Sequence, residues 1–233
     1  MNTIARSLRV CAAGALLFGT MMPPVAGRAP DAAAAVVWQV DSLERIGGHP
    51  VTVLGSPRVV DAPGGRAVEF DGVDDGLVLD TNPLAGLERF TAEVVFEPAP
   101  DGPEEQRFLH FEEAGTGNRA LIELRLLPAG WCLDTFLRHG QASLAKIDRS
   151  LLHPAGRWHA AALSFDGRTM THYVDGTREL AGEVAFKALA PGQTSIGVRL
   201  NRRSWFKGRI RSVRITPEAL AANKLLKAGP PLI

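Results

Sequence analysis

From Val36 onward the chain is a succession of short apolar runs, each closed by glycine, proline or aspartate. This punctuation constrains the fold more than any other feature. Val51 to Leu54, Ala67 to Phe70, Gly76 to Leu79 and Phe90 to Phe96 have the length and residue types of strands. Phe108 to Phe111, Ala120 to Leu127, Trp131 to Arg138, His159 to Phe165, Thr169 to Val174, Thr194 to Leu200 and Phe206 to Ile215 continue the series. Between them stand Pro63-Gly64-Gly65, Asp71-Gly72, Asp101-Gly102, Asp166-Gly167, Asp175-Gly176 and Pro191-Gly192, residues that close tight turns. Strands at this spacing predict an all-β, two-sheet antiparallel sandwich. The 24 glycines and 16 prolines exceed what a helix bundle carries. Two helical exceptions are expected: a turn near Leu84 to Leu87, and a short C-terminal helix within Pro217 to Lys227, opened by Pro217 and stopped by Gly229-Pro230-Pro231.

The front of the chain is built differently. Arg6 and Arg9 precede an apolar run from Val10 to Met22, followed by Pro23-Pro24 and the small-residue stretch Val25-Ala26-Gly27-Arg28-Ala29. Basic, apolar and small in that order is a secretory signal peptide. A run of roughly 13 residues is too short to span a bilayer. The expectation is a signal peptide over 1–29, a linker over 30–35, one domain over 36–222 and a tail over 223–233. The mature protein is then secreted or periplasmic, with no membrane span after cleavage. Cys11 lies ahead of most of the apolar run and so is no lipidation site. Cleavage leaves Cys132, in the apolar stretch Trp131-Cys132-Leu133, as a lone thiol expected to be buried and inert. A formal net charge of +1 gives no global field to draw the chain onto nucleic acid, which is excluded as a partner.

Five stretches then occur in a telling order. They are Ala67-Val68-Glu69-Phe70-Asp71-Gly72-Val73-Asp74-Asp75; Phe90-Thr91-Ala92-Glu93-Val94-Val95-Phe96-Glu97-Pro98; Gly156-Arg157-Trp158-His159-Ala160-Ala161 with Phe165-Asp166-Gly167; Tyr173-Val174-Asp175-Gly176; and Phe206-Lys207-Gly208-Arg209-Ile210-Arg211-Ser212-Val213-Arg214-Ile215 leading into Ala219-Leu220. Together they resemble the laminin G-like, concanavalin A-like jelly-roll family of lectins and glucanases, over residues 36–222. The resemblance implies a jelly roll with its ligand on the concave sheet or the loop rim, and calcium in some members. Trp158 and Phe70 are the expected apolar anchors between the sheets. The chain departs from the family at Ala161, where a larger aliphatic is common, and at Arg211, where an acidic residue is frequent. No cofactor is expected unless it is calcium, for which Asp71, Asp74 and Asp75 are the candidate ligands. A hairpin aspartate bonded to its own backbone explains the same run equally well.

The strand Ala120 to Leu127 carries the clearest polar signal. By the two-residue period Glu123 and Arg125 point the same way. His110 is in phase with Phe108 and Gln106, and Arg199 and Asn201 share a face of a later strand. Set on one sheet, Gln106, His110, Glu123, Arg125, Arg199 and Asn201 line a groove that would hydrogen-bond sugar hydroxyls or carboxylates. The alternative is a solvated outer face with a weak surface ion pair. Trp205 and Lys207, in the basic run Asn201 to Arg209, add an aromatic face and a cation suited to an anionic glycan. A hairpin edge blunted by charge accounts for them as well.

Glycosidase chemistry is disfavoured. Glu93 and Glu97 share a strand face but lie roughly 13 Å apart at about 3.3 Å per residue, too far for paired carboxyl groups. A polysaccharide lyase is the better enzyme reading, with His110 as base and Arg125 and Arg199 neutralising charge. Glu123-Leu124-Arg125 and Trp205-Phe206-Lys207-Gly208 are similar to short motifs of jelly-roll alginate lyases, in different surroundings and order. The leading expectation is an exported, non-catalytic module binding an anionic or extracellular polysaccharide. A lyase and a protein-interaction module on the same fold are the alternatives.

Overall fold

The structure, a computed structural model, describes Met1 and residues 34–228. The expected signal peptide, most of the linker and the last residues of the tail therefore lie outside the described residues. In chain order the strands are β1 Val36–Gln39, β2 Arg45–Ile46, β3 His49–Leu54, β4 Arg58–Ala62, β5 Gly65–Asp71, β6 Gly76–Leu79, β7 Phe90–Pro98 and β8 Glu105–Glu113. They continue as β9 Arg119–Leu127, β10 Gly130–His139, β11 Ala142–Ile147, β12 His159–Phe165, β13 Thr169–Val174, β14 Thr177–Glu183, β15 Gly192–Ile196 and β16 Lys207–Thr216. They form two antiparallel sheets. The first runs β14-β13-β12-β7-β16-β5-β4 with β1 added on β16; the second runs β11-β10-β9-β8-β15-β6-β3-β2. Two layers of this kind, with neighbours in a sheet drawn from distant parts of the chain, are the expected jelly-roll sandwich.

The space between the layers is filled from both inner faces. Phe96 of β7 stacks on Phe108 of β8 at 4.5 Å between ring centroids, and Trp131 and Phe206 close around the pair. On β9 the alternation is clean: Ala120, Ile122 and Leu124 enter the core while Arg119, Glu123 and Arg125 face out. Phe70 is a core anchor as expected, but Trp158 is not. It stays half-buried, stacked under the Arg211 guanidinium at 5.4 Å, and Trp38 and Trp131 are the fully buried tryptophans. Arg211 thus replaces the frequent acidic residue with a cation held by an aromatic face. At Asp175-Gly176 both residues have positive φ, 49° and 80°, as the tight turn between β13 and β14 requires.

The C-terminal segment lies across the outer face of the first sheet. Its helix is a single 3-10 turn, Ala222–Lys224. The reason lies in β7: the Thr91 hydroxyl accepts the Leu220 N–H at 2.8 Å and the Glu93 carboxylate accepts the Leu226 N–H at 2.6 Å. With those N–H groups bonded to a neighbouring strand, they are not available to a helical ladder. Leu220 and Leu225 pack there on Ala162 and Tyr173, a small second apolar cluster. The turn near Leu84 is present, with the Asn82 side chain accepting the Leu84 N–H. Among the described residues no helix is long and apolar enough to cross a membrane.

Candidate functional site

The outward face of the second sheet holds an array of ionisable side chains on β8, β9 and β10. A bulge between Arg107 and Leu109 sets its composition. Below the bulge Glu105 and Arg107 stand opposite Arg125 and Glu123; above it His110 and Glu112 stand opposite Leu121 and Arg119. One extra residue inverts the phase of the strand. His110 therefore faces outward with Arg107, whereas Gln106 points the other way. That corrects the expectation that Gln106 and His110 share a face. Gln106 is fully buried, its amide donating to the Pro103 carbonyl and its oxygen accepting the Lys207 N–H. It ties strands together and is no ligand-binding group.

One end of the face is a closed ion network. Arg107 Nε lies 2.9 Å from Glu123, and Arg107 also pairs with Glu105. Arg125 reaches Asp134 on β10 at 2.6 Å and Glu123 at 3.4 Å. Glu123 and Asp134 are directly opposite in register and nearly buried, at 4% and 6% exposure. Burial, then the Asp134 charge, pushes the Glu123 carboxyl up to about 7 against the pull of the two arginines. Burial raises Asp134 as well, with Arg125 opposing it. At the more open Glu105 burial also pushes up, but Arg107 and Arg125 together hold it below its ordinary range.

The other end gathers His110, Glu112, Arg119 and Arg199. The Leu200 N–H donates to His110 Nδ1 at 3.1 Å, so the neutral ring carries its proton on Nε2, 3.3 Å from Glu112. Burial, partly offset by Glu112, lowers the His110 pKa. The imidazole is 0% exposed. A base for the lyase reading has to touch its substrate, and this one lies beneath the surface. Arg119 holds its guanidinium over the Phe136 ring at 4.8 Å, opposite Arg138 on β10.

A loop from Gly197 to Phe206 connects the two ends. The Gly197 N–H donates to the Phe108 carbonyl and the Arg107 N–H to the Ser204 carbonyl, so the bulged strand finds partners in this loop. The Ser204 hydroxyl bonds Glu105 and Arg107. Gly197 has φ 83°, and a Cβ there would sit 2.4 Å from the Phe70 ring. This ends β15 at Ile196, four residues before the expected Leu200. Arg202 and Ser204 are also left-handed, at 57° and 58°, uncommon for side-chain-bearing residues and a mark of backbone held by its surroundings.

The structure thus brings Glu123, Arg125, His110 and Arg199 to one outward face, as two clusters with buried Leu121 between them. Asn201 is exposed in the loop, and Trp205 is half-buried against Gly76 at the start of β6. Lys207 belongs elsewhere. It opens β16 in the first sheet and its Nζ contacts Asp101 at 2.6 Å. Sequence reasoning missed Glu105, Arg107, Asp134, Arg119 and Arg138; their strand periodicity is visible, but which strands adjoin is not.

Lys207 instead lines a cavity of about 610 Å³ with Arg58, Glu69, Asp71, Asp74 and Asp75. A larger one, of about 1040 Å³, opens between β1, β16 and the C-terminal segment, beside Gln39, Arg66 and Leu225. Carboxylate oxygens of Asp71, Asp74 and Asp75 come within 4.8 Å of one another. However, Asp71 Oδ1 accepts the N–H groups of Val73, Asp74 and Asp75, and the Asp75 oxygens accept those of Ser56 and Asp71. Asp71 and Asp75 are thus already employed in holding the backbone of the turn, which accounts for both.

Comparison with known proteins extends this picture. The family model described as the concanavalin A-like lectin/glucanases superfamily matches residues 71–225. Among curated proteins none matches in sequence. Among solved structures, domain 4 of AbnA, an extracellular arabinanase from Geobacillus stearothermophilus in complex with arabinotriose, aligns with TM-score 0.60 at 19% identity. The alignment covers 81% of this chain and 94% of that one. The binding domain of botulinum neurotoxin serotype D aligns with TM-score 0.60 at 10% identity, covering 81% of this chain and 49% of that one. A heptameric SAP-like pentraxin from Limulus polyphemus gives 0.57 at 15% identity, with 68% and 78% covered. At such identities the likeness is one of fold. The family match extends from the turn after β5 to the C-terminal segment, two antiparallel sheets carry it, and the chain belongs to the concanavalin A-like lectin/glucanase superfamily.

Proposed function

We propose that the protein is an exported, non-catalytic module that binds an anionic or extracellular polysaccharide across the outward face of β8, β9 and β10. One observation carries the reading: the guanidinium and carboxylate groups there are held in fixed places by one another and by the 197–206 loop. Arg107 and Arg125 are only 17% and 13% exposed at their side chains. A rigid set of donors and acceptors loses little side-chain freedom when a sugar docks on it. Asn201 and Trp205 on the loop supply an amide and an aromatic face at its margin. AbnA domain 4, with a similar fold, was solved with arabinotriose, which supports the class of ligand. The signal peptide over 1–29, the linker, the jelly roll over 36–222 and the tail belong to the same proposal, as does a secreted or periplasmic location.

Affinity electrophoresis and calorimetry against a panel of polysaccharides test it. Binding is expected, weakened about three- to tenfold by Trp205→Ala, the range of one aromatic contact. No retention by any polysaccharide, together with recovery of one stoichiometric protein from an extracellular extract, would replace the glycan with a protein partner. With His110 sealed from solvent, no rise in ultraviolet absorbance is expected when uronate polymers are added.

A further inference from the structure

The Arg119 end of the face is short of negative charge in a way its other end is not. Register sets Arg119 opposite Arg138 on one side and opposite Glu112 on the other. Like charges directly opposite in an antiparallel pair are destabilising. Arg199 joins them from the loop. Against these three guanidiniums stands first the Glu112 carboxylate, already engaged by His110, the strongest influence on its ionisation; Glu123 acts on Arg119 as a lesser charge. Arg199 makes no side-chain hydrogen bond or ion pair among the described residues. The buried Nε–H groups of Arg107, Arg119 and Arg199 all lack a hydrogen-bond acceptor, but that of Arg107 still lies 2.9 Å from the Glu123 carboxylate. Arg119 bonds the Gly117 carbonyl through Nη1, and Arg138 bonds the Gly140 carbonyl through Nε. Burial first, then the charges of Arg199 and Arg138, holds Arg119 below its ordinary pKa.

Solvated arginines would swing apart. Here Arg119 is stacked on Phe136, Arg138 bonds the Gly140 carbonyl in the β10–β11 turn, and the backbone beside Arg199 is fixed where the Leu200 N–H bonds His110, so all three start from neighbouring places on the face. All three residues are part-exposed, and like charges held close together are relieved when an anion joins them from outside. The guanidinium fork matches a planar carboxylate or a sulfate. We propose that Arg119, Arg138 and Arg199 form the seat for one anionic substituent of an acidic glycan, a uronate carboxylate or a sulfate ester, on the glycan-binding face. This rests on the glycan-binding reading and adds the charge class and the residues that select it. Hydroxyl contacts then fall to the Arg107–Arg125 network and the loop.

Calorimetry with the full chain tests the seat in two arms, polygalacturonate against its methyl ester and dextran sulfate against dextran. Arg119→Gln and Arg199→Gln are the variants, and Arg178→Gln, exposed on the first sheet, is a control of equal charge change. The acidic member of at least one arm should bind about tenfold or more tighter than its neutral partner. Each seat variant should lose about tenfold for it, roughly 1.4 kcal/mol, with the control and any neutral binding unchanged. The arm that responds tells carboxylate from sulfate. Equal binding of acidic and neutral polymers, or indifference to both substitutions, overturns the seat while glycan binding stands. Absence of binding in both arms overturns the seat and the broader reading together. Oligothymidylate bound as tightly, with the same variant losses, overturns the glycan assignment. Without ligand, Arg199→Gln should melt no lower than the parent, because it removes repulsion and no bond. A clear drop in Tm would show that the protein already satisfies this guanidinium, and would also overturn the proposal.

Discussion

The two ends of one sheet face handle the same side chains in opposite ways. At the Asp134 end, Glu105, Glu123 and Asp134 enclose Arg107 and Arg125, and the cations have carboxylate partners. At the Arg138 end, three guanidiniums face Glu112, which a histidine has already engaged, and Glu123 reaches Arg119 only as a lesser charge. Both sit on the same strands and share the 197–206 loop, so the contrast is one of partners. A completed network is a rigid part of the fold. An incomplete one keeps donors for something outside it.

The largest effect should come from opening the completed end. Arg125→Met leaves Glu123 and Asp134 facing each other without their shared cation, and breaking a buried pair from one side costs about 3–5 kcal/mol. Calorimetric melting near pH 7 reads this as a large fall in Tm; the equivalent truncation at Arg199 should show none.

Next comes the pH response. Glu123 has a folded pKa of about 7 against an ordinary value of 4.5, so between those values the folded protein binds the extra proton. Stability from this group is therefore greatest below pH 4.5 and is lost as pH rises to about 7, by an amount on the order of 3 kcal/mol. Because Glu123 and Asp134 face each other, the step belongs to the pair. His172 opposes it. Burial, resisted by Glu179, lowers its pKa to about 4 from 6.5, so its contribution is present above 6.5 and lost as pH falls to 4. Glu123→Gln should remove most of the decline towards neutral pH, leaving the part from Asp134 and the acid-side losses from His172, His110 and lowered carboxylates such as Glu105. Urea titrations from pH 4 to 8 check both slopes.

A smaller effect is expected at the connection between the ends. Gly197→Ala places a methyl against Phe70 at a left-handed position, a cost of about 1–3 kcal/mol. Because the loop serves both clusters, glycan affinity should fall along with Tm. The smallest effect is at the incomplete end itself, where Arg138→Gln should change stability by less than about 0.5 kcal/mol while weakening any acidic ligand.

Much of this was legible in the sequence. β6, β12 and β13 begin and end where the apolar runs do, and the Glu123–Arg125 alternation survives intact on β9. What could not be read was phase and adjacency. The extra residue at Phe108 leaves no mark in an apolar run, yet it turns His110 outward and Gln106 inward. Asp134 sits in a strand whose neighbour is fixed only by folding. Lys207 is two residues beyond Trp205, but Phe206 plunges into the core between them and the chain changes sheets. β11 and β14 were missed because Ala142–Ile147 has small alanines and no fully buried position, and Thr177–Glu183 is largely polar.

The strap of chain after β16 has a practical corollary. Thr91 and Glu93 point away from the main core yet are shielded from water because residues 218–226 lie over them and bond to both. A shortened version ending at Thr216 would strip that cover, exposing Ala162 and Tyr173 and leaving Glu93 with Arg214 as its remaining partner. Surface exposed in this way invites self-association, so expression vectors should retain the sequence through residue 228 and attach any tag after it.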